Sequence, residues 1–136
     1  MYFKLAATAA NSIASDLLAS IDTGSAAATI EIYTGTVPTN VETAVGAQVL
    51  LGTLTCSDPV GTVTGRVLTF GAITMDSAAD ASGTAAWARI YDGNGDAVID
   101  VDVTNTAGTG AIKLNTVTIV AGGPILLNSF TITVGA

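Results

Sequence analysis

The chain has 136 residues, a length that fits one domain, and only 11% of them are charged, against about 25% in an ordinary soluble domain. The net charge is -7, and the bases Lys4, Arg66, Arg89 and Lys113 are scattered, so no basic stripe forms for nucleic acid or anionic lipid. There is no histidine and a single cysteine, Cys56, which excludes an intrachain disulfide, a cysteine-built metal site and any Ser-His or Cys-His nucleophile pair.

Met1 to Ala9 carries an Ala-x-Ala at Ala7 to Ala9. The apolar run before it is too short for the core of a signal peptide, so no cleaved leader is expected. Lys4 to Asp22 is predicted as a helix. Phe3, Ala6, Ala10, Ile13, Leu17 and Ile21 recur at spacings of three and four as one apolar stripe. Alanine favours helix, and Gly24 is placed to end it. The segment spans roughly 28 Å as a helix. Its stripe is narrow, so it either lies on its own sheet or docks on a neighbouring subunit.

From Ala28 the period changes to two, with Ile30 and Ile32 alternating with Thr29, Glu31 and Tyr33. Turn residues from Thr34 to Pro38 close that strand. Thr39 to Gln48 shows no alternation and is expected to be a loop, anchored by Val41 and Val45. Further strands are predicted at Val49 to Thr55, Arg66 to Phe70, Thr84 to Tyr91, Ala97 to Val103, Ile112 to Val120 and Ile125 to Val134, with a loop over Asp76 to Gly83. Mean hydropathy is +0.60 and Leu114 to Ala136 holds no charge. A bilayer span needs about 20 predominantly apolar residues. Asn115, Thr116, Thr118, Gly122, Gly123, Pro124, Asn128, Ser129, Thr131 and Thr133 interrupt this one, and it alternates as strands do. The expectation is therefore two strands and no membrane contact.

About seven short strands rich in threonine and valine point to a single-domain antiparallel β-sandwich, Ig-like or jelly-roll-like, over residues 28–136, with the N-terminal α-helix in residues 1–24.

Asp92, Asn94 and Asp96 fall at the first, third and fifth positions of an EF-hand loop. Ala97 stands where that loop needs glycine, Val103 where it needs a bidentate glutamate, and the flanks read as strands. A β-hairpin turn explains every residue from Asp92 to Asp96. Asp100 and Asp102 share a strand face; paired carboxylates can do acid-base work or hold a metal, but alternation alone makes them the solvated face of a half-exposed strand. Cys56 has no histidine to activate it and Asp58 nearby to raise its pKa, which makes it a small buried residue. Trp87 and Tyr91 share a face that could stack a sugar; as rare aromatics they read first as core or interface anchors. Gly122-Gly123-Pro124 is a tight turn, and no phosphate-binding glycine motif is present. No catalytic, cofactor-binding or metal-binding residue is assigned.

Several blocks taken together resemble a known group. They are Ile21-Asp22-Thr23-Gly24, Ile30-Glu31-Ile32-Tyr33-Thr34-Gly35-Thr36-Val37-Pro38, Leu50-Leu51-Gly52-Thr53-Leu54 with Ser57-Asp58-Pro59, and Gly83-Thr84-Ala85-Ala86-Trp87-Ala88-Arg89-Ile90. Leu114-Asn115-Thr116, Ala121-Gly122-Gly123 and Ser129-Phe130-Thr131-Ile132-Thr133 close the pattern. Over nearly its whole length the chain resembles small structural proteins encoded among the virion genes of tailed bacteriophages. The resemblance implies a virion structural protein without fixing its place in the particle. The expectation is a non-enzymatic capsid decoration or cement subunit, and the net acidic charge suits the outer surface of a DNA-filled shell. Its partners would be copies of itself (a trimer being one arrangement) and the major capsid protein or other virion proteins. A tail or neck component is the first alternative, and an extracellular carbohydrate-binding or adhesive module the second. The uncharged stretches Thr43 to Ser57 and Leu114 to Ala136, with the helix, are expected to supply the contacts.

Overall fold

A computed structural model describes residues 4–135. Met1, Tyr2, Phe3 and Ala136 lie outside the described residues, and with them the Phe3 end of the predicted apolar stripe. The protein is mainly β, with one helix at its N-terminal end. Among the described residues, no helix is long and apolar enough to cross a membrane.

The helix, α1, runs Ala7–Ile21. Ten strands succeed it: β1 (Thr29–Tyr33), β2 (Leu50–Thr55), β3 (Gly61–Thr64), β4 (Val67–Phe70), β5 (Gly83–Thr84), β6 (Trp87–Tyr91), β7 (Ala97–Asn105), β8 (Ile112–Leu114), β9 (Thr118–Ile119) and β10 (Thr131–Thr133). They form a five-stranded sheet in the order β2-β1-β6-β7-β8, a three-stranded sheet β10-β4-β3 and a small pair β5-β9.

Helix α1 packs against β3 and β4 of its own chain. It buries Ala10, Ala14 and Ile21, while Ile13 is 45% exposed. Within α1 the buried stripe keeps the expected Ala10 and Ile21, and Ala14 takes the place of Ile13, because small side chains let a helix lie close on a sheet. The helix ends where Asp22 donates its N–H to the Leu18 carbonyl, 2.9 Å away, and Gly24 turns the chain with φ +96°. That glycine is needed twice over, since a Cβ there would sit 2.8 Å from the backbone N of Asn94.

β1, β2, β4, β6 and β7 lie within two residues of their predicted bounds, apart from the split at the start of β6. The other predicted strands change. Thr84 to Tyr91 breaks at Ala85 into β5 and β6, and Ile112 to Val120 breaks into β8 and β9, which belong to different sheets. Ile125 to Val134 keeps only β10 and an isolated bridge from Ile125 to Asp76. β3 carries no predicted strand at all. It forms because Gly65, at φ +64°, and Arg66 make a two-residue turn that folds Gly61–Thr64 back on β4. Positive φ at the first turn residue alone is the type II′ pattern that suits strand twist.

The ladders are antiparallel except one. β8 runs parallel to the end of β7, pairing Val103 with Ile112 and Asn105 with Leu114. This departs from the purely antiparallel arrangement expected. Its physical reason is local: a Cβ on Gly108 or Gly110 would meet the Thr104 side chain within 2.6 to 2.8 Å, so two glycines let the connecting loop lie flat on β7.

One buried cluster joins the elements. Ile30, Ile32, Leu54, Ala88 and Ile90 from the five-stranded sheet meet Leu68 and Phe70 from the three-stranded sheet and Ile21 from the helix. Phe70 stacks on Phe130 with ring centroids 4.4 Å apart. Each fully buried Leu or Ile contributes about 1.5–3 kcal/mol.

Candidate functional site

Alternation along β1, β6 and β7 sends one set of side chains inward and the other to the far face of the five-stranded sheet. The registers put Glu31, Arg89 and Asp100 in one row across that far face, with Tyr33 and Trp87 in the next. Arg89 donates from Nε to Asp100 Oδ1 at 2.6 Å and from Nη2 to Asp100 Oδ2 at 2.9 Å. The two side chains are only 3% and 10% exposed. What covers them is the segment 34–49. Arg89 Nη1 donates to the Thr43 carbonyl at 2.8 Å and Nη2 to the Asn40 carbonyl at 3.4 Å. Trp87 Nε1 donates to the Thr34 carbonyl at 3.0 Å. The Asp100 hydrogen bond pushes the Arg89 pKa up, so its charge is permanent.

This geometry corrects one expectation and bears out another. Asp100 does not lie on a solvated strand face; it is the largely covered partner of the buried Arg89, and only Asp102 remains exposed, accepting the Ala111 N–H at 2.8 Å. Trp87 is 2% exposed, stacked on Tyr33 at 4.7 Å with the Arg89 guanidinium 5.5 Å from its ring centroid. It is the core anchor of the alternative readings, and it has no open face for a sugar. The Tyr33 hydroxyl donates to Glu31, and burial pushes the phenol above its ordinary value. Both Asp100 oxygens accept from Arg89, so this row is a clamp for the 34–49 segment. Sequence held one signal for it: a hairpin centred between Asn94 and Gly95 brings residues 89 and 100 together.

Asp92 to Asp96 forms the expected hairpin turn. Asp92 N–H donates to the Asp96 carbonyl at 2.9 Å, and Gly95 takes φ +87°. The Asp92 carboxylate is buried, and its Oδ1 accepts the backbone N–H groups of Asn94 and Asp96 at 2.9 and 3.0 Å. Gly93 keeps a negative φ; it is glycine because a Cβ would lie 2.1 Å from the Ala26 carbonyl oxygen. Among the described residues, no group of three or more His, Cys, Asp or Glu side chains comes together.

Cys56 is buried, and burial pushes its thiol up to about 11. The charge that adds to this is Asp22, not the neighbouring Asp58 expected from sequence. Asp22 also accepts the Val60 N–H at 2.7 Å, which ties the end of the helix to the residue before β3.

The uncharged C-terminal segment contributes much of the open surface. A groove of about 480 Å³ runs beside it, lined by Thr106, Lys113, Asn115, Leu126, Phe130 and Thr131 among others. A smaller hollow of about 210 Å³ shares Asn115 and Leu126 with it. Val120 is 63% exposed, and Leu126 and Val49 are exposed as well. Lys113 is the one charged residue in the lining of either hollow. Compared with known proteins, the chain matches no family model, no curated protein and no solved structure.

Proposed function

We propose that the protein is a non-enzymatic structural subunit that works by packing against copies of itself and against other proteins of a bacteriophage virion, as a decoration or cement subunit of the capsid. The two larger sheets are then the layers of a β-sandwich. The supporting observation is where the apolar surface lies. Of the six large hydrophobic side chains exposed among the described residues, Val49, Val120 and Leu126 fall in the two uncharged stretches and Ile13 on the helix. Monomeric proteins normally keep such surface scattered among charges of mixed sign. The bacteriophage setting rests on the sequence resemblance alone. The buried Trp87 counts against the carbohydrate-binding alternative.

The test is co-sedimentation of the purified chain with shells assembled from the major capsid protein of the same genome, with sedimentation velocity of the chain alone. Saturable binding to shells supports the reading. Binding to tails or necks instead moves the subunit within the particle. A stable monomer that ignores all of them overturns it.

A further inference from the structure

Natural sheets guard their outer strands, because unpaired N–H and C=O groups invite pairing with another chain. Two of the four outer strands in the two larger sheets are guarded here, and a third is half-buried. Along β2, Asp80 N–H donates to the Leu51 carbonyl, Thr53 N–H donates to Asp76 Oδ2, and Thr55 bridges Thr74. β3 shares helix α1 with β4, and the residues its ladder turns outward, Gly61 and Val63, are half-buried. β8 carries Lys113, a charge of the kind that blunts an edge.

Among the described residues, β10 has no such device along its length; Arg66 reaches only the Gly135 carbonyl beyond its end. Its residues are Thr131, Ile132 and Thr133, with no charge and no proline. The ladder to β4 fixes which backbone groups are spare. Phe70 N–H donates to the Phe130 carbonyl at 3.0 Å and Val134 N–H to the Arg66 carbonyl at 2.8 Å. Hydrogen-bonded pairs alternate along an antiparallel ladder, so Phe130, Ile132 and Val134 turn their groups toward β4. Thr131 and Thr133 therefore turn their N–H and C=O groups outward, and both residues are exposed. Among the described residues, no backbone partner reaches them.

We infer that the partner of this edge is the same edge of a second copy, paired antiparallel about a two-fold axis at Ile132. This rests on the proposed role as a self-packing subunit and names the contact. The register is the one the spare groups dictate. Thr131 of one copy lies opposite Thr133 of the other, each pair exchanging two hydrogen bonds, and Ile132 meets Ile132 at the non-bonded position. The facing side chains are threonines, a favourable cross-strand pair. Charge agrees: β3, β4 and β10 contain no acidic residue, and the charge beside β10, Arg66, donates to the Gly135 carbonyl, so two chains of net charge -7 meet through a sheet that adds no negative charge. The joined sheet runs β3-β4-β10-β10-β4-β3. A three-residue ladder is marginal alone. The groove beside Ser129, Phe130 and Thr131 extends the contact next to the new ladder.

The experiment is sedimentation velocity and amide hydrogen exchange on the full chain across a concentration series. The expected result is a species of twice the 13.4 kDa chain mass. The Thr131 and Thr133 amides should then exchange on the order of tenfold more slowly as it forms. Thr133→Pro removes one outward donor and leaves the ladder to β4 intact, and should return the protein to monomer with unchanged circular dichroism. Thr131→Lys should do the same by charge, and covers the case in which the proline variant fails to fold. If the chain self-associates but those amides and both variants leave association unchanged, the edge is wrong while the self-packing role stands. If the wild-type chain stays monomeric at every concentration and binds no shells, both fall.

Discussion

Removing the Asp100 carboxylate should be among the most damaging single changes in the protein. In Asp100→Ala the Arg89 guanidinium, 3% exposed, stays buried with the Thr43 and Asn40 carbonyls and the Tyr91 hydroxyl beside it but no carboxylate. Breaking one side of a buried pair costs about 3–5 kcal/mol. The two remaining carbonyl contacts put this case at the lower end, about 3 kcal/mol. Against a total stability of about 5–15 kcal/mol, that is a large share. At about 4 °C per kcal/mol for a chain of this size, the melting temperature should fall by roughly 12 °C. The assay is urea and thermal unfolding at pH 7, in low salt and in 1 M NaCl, with the pair replaced by Arg89→Met and Asp100→Leu as the control. The double variant should recover most of the loss, because no charge is then left buried. A cost below about 1 kcal/mol, or one that 1 M salt erases, would show that water reaches the pair and would refute the clamp.

Stability should be flat between about pH 5 and 8, since no histidine titrates there. The Cys56 thiol, raised from 9.0 to about 11, binds its proton more tightly folded than unfolded. Its contribution is therefore complete below pH 9 and is lost as pH rises toward about 11, with Tyr33 adding to the loss in the same direction. Urea midpoints across that range should fall, less steeply in Cys56→Ala; a rise with pH would reverse the sign argument. Gly93→Ala should destabilise more than Gly95→Ala in urea unfolding. The first Cβ strikes the Ala26 carbonyl, while the second meets nothing and carries only the positive-φ cost of about 1–2 kcal/mol. Calcium and chelator should leave the melting temperature unchanged, and a rise of several degrees with calcium would restore the metal reading of Asp92 to Asp96. Thr118→Glu, on an exposed position of β9, should weaken shell binding in co-sedimentation and leave circular dichroism intact.

The helix and the strands flanking the Asp92 turn were legible because their signals are local. Period-four alanines, period-two isoleucines and an Asp-Gly-Asn-Gly turn each act within a few residues. Alternation misled at Ile112 to Val120. A chain can keep the same in-and-out pattern while turning a corner, and nothing in the pattern says that Leu114 and Ile119 belong to different sheets. Asp100 was misread for a related reason. Its own strand alternates as if that face met water, and the 34–49 segment that covers it lies far away in sequence.

By itself the sequence determined the classes of chemistry the chain lacks the residues for, the mainly β architecture with its leading helix, and the place of the uncharged stretches. These come from composition and short-range periodicity. The tertiary structure alone decided that β8 runs parallel to β7, that Arg89 is buried against a largely covered Asp100, and that the exposed edge of β10 is left without a guard while β2 is covered. Those outcomes depend on which distant segments meet, and pairing between distant segments leaves little trace in the local pattern of either one.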